Sequence, residues 1–258
     1  MAALRILMVT RGVEPLRPGC GGAELAAEQL ARTLARRGHH VTLVSDRDPA
    51  ACPDAAGLVF APIESAVQRA IARAPRGFAR WLAQHLAGNV SAALAARRLL
   101  RAQPFDVVHA HGGLSAVLLA RLARVPVVYT EHDAPPWQCR HRRWWERLLR
   151  TRLYRALNVR AFRGVSAVAA TFDALAAELS DRWGVPAARV ASIPNGADLD
   201  RFAIALPGAA PYERYCLFVG RLEPRKAPDL LLEALADAPG VRCVFAGDGP
   251  MRSSLERQ

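Results

Sequence analysis

The sequence has 258 residues, a hydrophobic fraction of 52% and a formal net charge of +12. It is longer than one ordinary core and short for two full α/β domains, which have roughly 100 to 150 residues each. Its five widely spaced cysteines argue against a disulfide framework, and no apolar run predicts a cleaved signal peptide or a membrane span, so we expect a cytoplasmic protein.

The positive charge favours an anionic partner, such as a phosphorylated substrate, an anionic membrane surface or a nucleic acid. Arginine accounts for almost all of this charge, because Lys226 is the only lysine in the chain. The arginines are scattered among alanines and leucines, and no helix-turn-helix, zinc-finger or aromatic RNA-binding signature accompanies them. Nucleic acid is therefore not the expected partner.

The chain begins with a strand, a loop, a helix and a second strand. Residues 4–9 form a continuous apolar run, typical of a buried parallel strand. A loop rich in Gly and Pro leads to a predicted helix from Ala23 to Arg37, which Gly38 ends. The next predicted strand covers Val41 to Val44. This βαβ pattern predicts a parallel sheet with a right-handed crossover.

The first loop ends in two adjacent glycines, Gly21 and Gly22. Glycines before a helix allow a ligand to approach the backbone closely, and the free N–H groups of the helix start favour an anion. The spacing does not match the dinucleotide-binding motif. Glycines are also common in such loops for structural reasons, so both interpretations stay open.

Two stretches combine arginine with tryptophan. Residues 64–102 read as helices with basic positions between 69 and 81, and residues 137–155 place three tryptophans among arginines. Such stretches suit the surface of an anionic membrane, but a helix with one wet face gives the same pattern.

Within residues 105–113, a predicted short strand ends with two histidines at alternate positions, His109 and His111, and two glycines follow. Residues at alternate positions of a strand face the same side, so we expect both rings to point into one crevice at the carboxyl end of the sheet. A metal site would need a third ligand, and His132, after a predicted strand from Val125 to Tyr129, is the obvious candidate. We expect polar lining of a substrate cleft instead.

The remaining residues of the first domain predict one more βαβ unit. Val159 to Val165 reads as a strand, and Ser166 is placed to begin a helix that runs to Trp183. A further short strand precedes the turn at Asn195 and Gly196, and residues 206–211 have the composition of a linker.

After the linker, an apolar strand ends in Gly220 and delivers two cations, Arg221 and Lys226. A lone lysine in an arginine-rich chain indicates a position that needs a compact, mobile ammonium. A predicted helix from Asp229 to Ala236 and a strand from Val241 to Ala246 follow. The final residues read as a helix without a cap, so we expect the second domain to be incomplete.

Six segments, in this order, resemble the retaining, family-four glycosyltransferases of the GT-B fold. They are GGAE at 21–24, DVVHAHG at 106–112, VS at 165–166, IPNGADLDRF at 193–202, FVGRLEPRK at 218–226 and FAGDGPMR at 245–252.

The resemblance implies an α/β protein with two Rossmann-like domains. The first, residues 1–205, would bind the acceptor, and the second, residues 212–258, would be the beginning of the donor-binding domain, with 206–211 as the linker. A UDP- or GDP-sugar would donate its sugar, with retention, to a glycan or lipid-linked acceptor. The family is typically metal-independent, so neither a metal nor a cofactor is expected.

The same resemblance implies roles for particular residues. Arg221 and Lys226 would neutralise the donor diphosphate, and the backbone at Gly21 and Gly22 would approach the donor. His111 would be the catalytic residue beside the reacting sugar. Further possible acceptor or cleft residues are His109, His132, Ser166, Asn195 and Gly196.

Two departures from the family pattern bear on activity. The later pair of glutamates that contact the donor is absent, so this chain alone is expected to be weakly active or inactive. Ala227 also stands where the family often has glycine. The alternatives are a basic, non-catalytic protein that binds nucleic acid or membrane, and a GT-B epimerase of nucleotide-sugars. Peripheral contact with an anionic membrane is compatible with the transferase.

Overall fold

The structure is a computed structural model that describes residues 2–10, 22–45, 56–63, 78–132, 144–197, 199 and 214–258. The chain divides into two compact units, one with residues 1–133 and 154–197 and another with residues 134–153 and 198–258. The predicted linker lies outside the described residues, as do residues 64–77 and 137–143 of the two tryptophan-containing basic stretches.

The first unit is built on a parallel sheet of seven strands in the order β3-β2-β1-β4-β5-β6-β7. The strands are β1 (Arg5–Val9), β2 (His40–Ser45), β3 (Leu58–Pro62), β4 (Val107–Ala110), β5 (Val127–Glu131), β6 (Ala167–Ala170) and β7 (Val190–Ser192). All six neighbouring pairs are parallel. The predicted α/β class with a parallel sheet is therefore confirmed.

Helices lie on five of the six connections between consecutive strands, as parallel pairing requires, and most of the connection from β2 to β3 lies outside the described residues. They are α1 (Gly22–Arg36), α2 (Phe78–Ala102), α3 (Gly113–Leu122), α4 (Trp144–Gly164) and α5 (Asp173–Asp181). The residues of α4 before Tyr154 group with the second unit. No helix among the described residues is both long enough and apolar enough to cross a membrane.

The strand residues alternate between two apolar cores. Ile6 and Met8 of β1 pack with α1 through Ala31 and Ala35. Leu7 and Val9 of the same strand belong to the larger core on the opposite face, which includes buried residues of α2, α3, α4 and α5. A strand buried on both faces needs a continuous apolar run, and residues 6–9 provide one.

The two cores show where the strand order of the sheet reverses, which is between β1 and β4. The helix after β1 packs on one face, the helix after β4 packs on the other, and β1 and β4 are neighbours in the sheet. Such a switch point opens a crevice at the carboxyl ends of the two strands, where open α/β sheets bind ligands. His111 lies at this point, since its backbone N–H donates to the carbonyl oxygen of Val9 at 2.8 Å.

The prediction of a strand from Val159 to Val165 is wrong, because this segment continues α4 to Gly164. Its β-branched and aromatic residues favour a strand locally. In the folded unit, however, Ala161, Phe162 and Val165 are buried at helical spacing. The tertiary core thus decides the outcome against local propensity.

Ser166 is not the start of a helix, as the sequence predicted. It precedes β6, and its hydroxyl oxygen accepts a hydrogen bond from the backbone N–H of Val127 at 3.2 Å. The helix that follows β6 begins only at Asp173. Ser166 therefore joins the amino ends of two neighbouring strands.

The second unit contains a two-stranded parallel sheet of β8 (Cys216–Val219) and β9 (Cys243–Ala246). Its helices are α6 (Pro228–Ala236) and the short α7 (Arg252–Leu255). The predicted helix and strand after Lys226 are confirmed.

The loops after β8 and β9 pack backbone against backbone. The N–H of Leu222 donates to the carbonyl oxygen of Asp248 at 2.9 Å. A Cβ added at Gly247 would overlap the carbonyl oxygen of Gly220, and one at Gly249 would overlap that of Leu222. Glycine is required for this close approach. The contact holds the backbone on both sides of Arg221 in place.

Candidate functional site

Two histidines lie together at the carboxyl end of β4. His109 is within the strand and His111 is the first residue after it, so both side chains leave the same face of the sheet. Their ring centroids are 4.4 Å apart and the ring planes are tilted by 31°. The structure therefore brings these two residues into one cluster, as the sequence predicted.

His132 completes this cluster from the neighbouring strand. The Nδ1 atom of His111 and the Nε2 atom of His132 are 2.8 Å apart, so one ring donates a hydrogen bond and the other accepts it. The two rings are stacked with centroids 5.1 Å apart. His111 is only 6% exposed. Because this hydrogen bond joins the two rings, each imidazole is held in one orientation.

His109 is held in its neutral form. Its Nε2 atom is hydrogen-bonded to Oγ1 of Thr130 at 2.7 Å. Burial and, to a smaller extent, the nearby His132 together lower the pKa of His109 from 6.5 to about 4. A neutral imidazole can donate from one nitrogen and accept at the other, which suits contact with hydroxyl groups.

A buried carboxylate that sequence reasoning missed lies at the carboxyl end of β5, next to His132 in the sequence. Glu131, the last residue of β5, is 3% exposed. Its Oε2 atom accepts hydrogen bonds from the hydroxyl of Tyr129 at 2.9 Å and from Nδ2 of Asn158 at 3.0 Å. An acidic residue directly before His132, at the carboxyl end of a buried strand, was the signal that could have revealed it.

The same network reaches the start of α3. A Cβ added at Gly113 would overlap Oδ1 of Asn158 and lie 3.4 Å from the hydroxyl of Tyr129. Glu131, Asn158 and Tyr129 thus pack against the turn that follows His111. They position this turn relative to β5.

The structure gives no support to a metal at the histidine cluster. Among the described residues, no group of three or more His, Cys, Asp or Glu side chains is arranged to hold a metal ion. The short contact between His111 and His132 is a hydrogen bond, which occupies the two nitrogens that face each other.

Three other predicted cleft residues are not part of this cluster. Ser166 lies at the amino end of β6, whereas the histidines lie at or beyond the carboxyl ends of β4 and β5. Asn195 and Gly196 are exposed and follow β7, the edge strand of the sheet.

The glycine loop is described only in part, since Gly21 lies outside the described residues. Gly22 is the first residue of α1, and no atom of the described residues would lie within 4 Å of a Cβ added there.

The predicted diphosphate clamp lies after β8 in the second unit. The Nε atom of Arg221 is 3.5 Å from a carboxylate oxygen of Glu223, and the Nε atom of Arg225 is 3.4 Å from the other. All three side chains keep solvent contact, so this network contributes little stability. Lys226 is exposed, and no ion pair of Lys226 occurs among the described residues.

The backbone after Lys226 has an unusual conformation. Ala227 has a φ of 52° and a ψ of 46°, the left-handed region, and it precedes Pro228, the first residue of α6. This conformation costs a residue other than glycine about 1 to 2 kcal/mol. It places Lys226 two residues before Pro228 at the helix start, where free N–H groups favour an anion.

Comparisons with known proteins match both parts of the chain to family models. Residues 20–201 match the family described as Glycosyltransferase Family 4, and residues 206–258 match the family described as Glycosyl transferases group 1.

The chain is also similar to named proteins over most of its length. D-inositol 3-phosphate glycosyltransferases of Mycobacterium bovis (strain BCG / Pasteur 1173P2) and Mycobacterium tuberculosis (strain ATCC 25618 / H37Rv) are 30% identical over 280 residues. The match covers 97% of this chain and 54% of each relative. The chain thus spans about half the length of the curated relatives it matches.

Solved structures share the fold at lower identity. WaaG, a glycosyltransferase involved in lipopolysaccharide biosynthesis, has a TM-score of 0.61 and 21% identity, over 97% of this chain and 65% of that one. A UDP-N-acetylglucosamine 2-epimerase from Rickettsia bellii has a TM-score of 0.53 and 14% identity, over 100% of this chain and 65% of that one. Because this fold supports more than one reaction, it does not by itself assign the chemistry.

Proposed function

Because this chain belongs to the Glycosyltransferase Family 4 and group 1 glycosyltransferases, we propose that the protein transfers a sugar from a nucleotide-sugar to an acceptor. The transfer retains the configuration of the sugar and uses no metal. The donor is a UDP- or GDP-sugar, and the acceptor is a glycan or a lipid-linked molecule.

The observation that carries this proposal is the hydrogen-bonded pair of His111 and His132 at the switch point of the sheet. The pair lies where open α/β sheets bind ligands. A fixed, largely buried imidazole suits recognition of the hydroxyl groups of a sugar, because each ring has one donor and one acceptor when neutral. In the proposal, His111 is the catalytic residue, His109 and His132 line the site, and Glu131 positions the turn that follows His111.

Charge on the leaving group is the second chemical requirement. As the bond from sugar to diphosphate breaks, negative charge develops on the nucleoside diphosphate, and fixed positive charges stabilise it. In the proposal, Arg221 and Lys226 supply that charge in place of the metal that other transferases use. The exposed position of Lys226 before the start of α6 supports this role. Gly21 and Gly22 approach the donor through their backbone.

The acceptor is proposed only as a class. The mycobacterial relatives are named for D-inositol 3-phosphate, a polyhydroxylated, phosphorylated molecule. For this chain we propose a glycan or lipid-linked acceptor, reached by a cytoplasmic protein with reversible peripheral contact to an anionic membrane. The basic stretches at residues 69–81 and 137–152 would make that contact, since arginine and tryptophan together favour a membrane interface.

A titration with nucleotides tests the proposal directly. We expect UDP- or GDP-sugars to bind saturably in the presence of EDTA, and duplex DNA to bind weakly at physiological salt. Calorimetry at two salt concentrations measures both. Tight binding of DNA with a steep dependence on salt, and no response to any nucleotide-sugar, would support the non-catalytic alternative.

A further inference from the structure

Four arginines surround a cavity in the first unit that is separate from the histidine cluster. The cavity has a volume of about 460 Å³. Its lining residues are Arg155, Val159, Arg160, Arg163, Arg182 and Trp183. None of them is a site residue of the proposed transfer reaction.

The cavity forms because α4 and the end of α5 present matching surfaces. Arg155, Val159 and Arg163 are four residues apart along α4 and therefore lie on one face of the helix. The Cζ atom of Arg155 lies 5.6 Å from the centre of the Trp183 ring. This cation–π contact holds one guanidinium over the indole, so the wall of the cavity is both cationic and aromatic.

Arginine side chains form most of the lining of the cavity. Glu178 forms an ion pair with Arg182, 4.0 Å apart. No ion pair of Arg160 or Arg163 occurs in the part of the chain that the structure describes. Clustered like charges repel each other, and a bound anion would relieve that repulsion.

The location differs from that of the histidine site. Arg163 and Trp183 lie near the ends of α4 and α5, shortly before β6 and β7 begin. This part of the cavity is therefore at the amino end of the sheet. The histidines follow the carboxyl ends of β4 and β5, so a ligand in the cavity would not be the donor or the acceptor at His111.

We propose that this arginine cavity binds the phosphate group of a small, soluble phosphorylated ligand. Guanidinium groups form paired hydrogen bonds with phosphate oxygens, and a concave site with several of them favours phosphate over weaker anions. Val159 and Trp183 provide apolar surface for the organic part of the ligand. Arg155 partly covers the indole of Trp183, which argues against insertion of this ring into a membrane surface.

The test follows the indole N–H signal of Trp183 by NMR, assigned with Trp183→Phe, during titration with inorganic phosphate and with pyrophosphate. We expect saturable shifts of this signal, absent with chloride at the same ionic strength. The double variant Arg155→Gln/Arg163→Gln should weaken pyrophosphate binding at least tenfold. The double variant Arg121→Gln/Arg124→Gln, which loses the same charge from exposed positions, should bind as the wild type does.

Two results would overturn the proposal. One is a shift of the Trp183 signal in the wild type that does not saturate with phosphate or that chloride reproduces. This result needs no variant, so it does not depend on how well the variants fold. The other has two parts: the wild type binds phosphatidylglycerol vesicles and the Arg155/Arg163 variant does not, and inorganic phosphate leaves the Trp183 signal unchanged. The cavity would then bind a lipid surface. Vesicle binding that this variant retains supports the soluble ligand and assigns membrane contact to other residues.

Discussion

Replacing Lys226 by alanine in a full-length enzyme is expected to lower kcat/KM for sugar transfer by about 30- to 1,000-fold. This range corresponds to about 2 to 4 kcal/mol of lost transition-state stabilisation, as found for single groups that stabilise developing charge. The expectation rests on the exposed ammonium of Lys226, which lies two residues before Pro228, the first residue of α6. Steady-state kinetics with a matching nucleotide-sugar measure it, and most of the loss should appear in kcat, because the charge develops in the transition state.

Arg225→Ala is the matched control for this prediction. Arg225 lies beside Lys226 and pairs with Glu223 at 3.4 Å, and its removal deletes the same formal charge. We expect a change of less than about threefold for an exposed ion pair of this kind. Equal losses in the two variants would show that general positive charge, rather than the position of Lys226, matters for the reaction.

The stability of the first unit should fall as the pH decreases from about 6.5 towards 4. His109 has a pKa of about 4 in the folded protein, against a usual value of 6.5, because of burial and the nearby His132. Between these pH values the unfolded chain binds a proton at this residue and the folded chain does not. This contribution is fully present above about pH 6.5, and about 2 to 3 kcal/mol of it is lost by about pH 4.5.

The variant His109→Gln isolates this contribution from those of other titrating groups. Glutamine can keep a hydrogen bond to Thr130, the partner of His109 at 2.7 Å, but it does not titrate. Urea unfolding of both proteins at several pH values gives the difference in the free energy of unfolding. Parallel pH profiles for the two proteins would mean that the pKa of His109 is not lowered in the folded state.

Much of the first βαβ unit follows from its residues. The apolar run at 6–9 is buried on both faces, and its length alone distinguishes it from a helix. Gly38, with a φ of 88°, ends α1 as predicted. These features are local, so the sequence carries them without knowledge of the rest of the chain.

The end of α4 was less predictable. Val159, Phe162 and Val165 resemble a strand, and arginines around the helix obscure its apolar face. Only the core that receives Ala161 and Phe162 decides between the two. The same error made the prediction for Ser166 wrong, because Ser166 lies before β6 rather than at the start of a helix.

The histidine cluster was predictable in outline and not in detail. Alternation along a strand placed His109 and His111 on one face, but the hydrogen bond between His111 and His132 joins residues 21 positions apart. The network of Glu131 and Asn158 joins residues 27 positions apart. Such pairs depend on how β5 and α4 pack, which no local pattern specifies.

Product formation by a full-length enzyme, followed by NMR with UDP- and GDP-sugars and an acceptor in the presence of EDTA, is the most direct test of sugar transfer. We expect release of the nucleoside diphosphate together with a glycosylated acceptor that retains the configuration at the anomeric carbon. In Lys226→Ala, both products should form about 30- to 1,000-fold more slowly. A product of inverted configuration, or a sugar that is only epimerised and never transferred, would contradict the proposal.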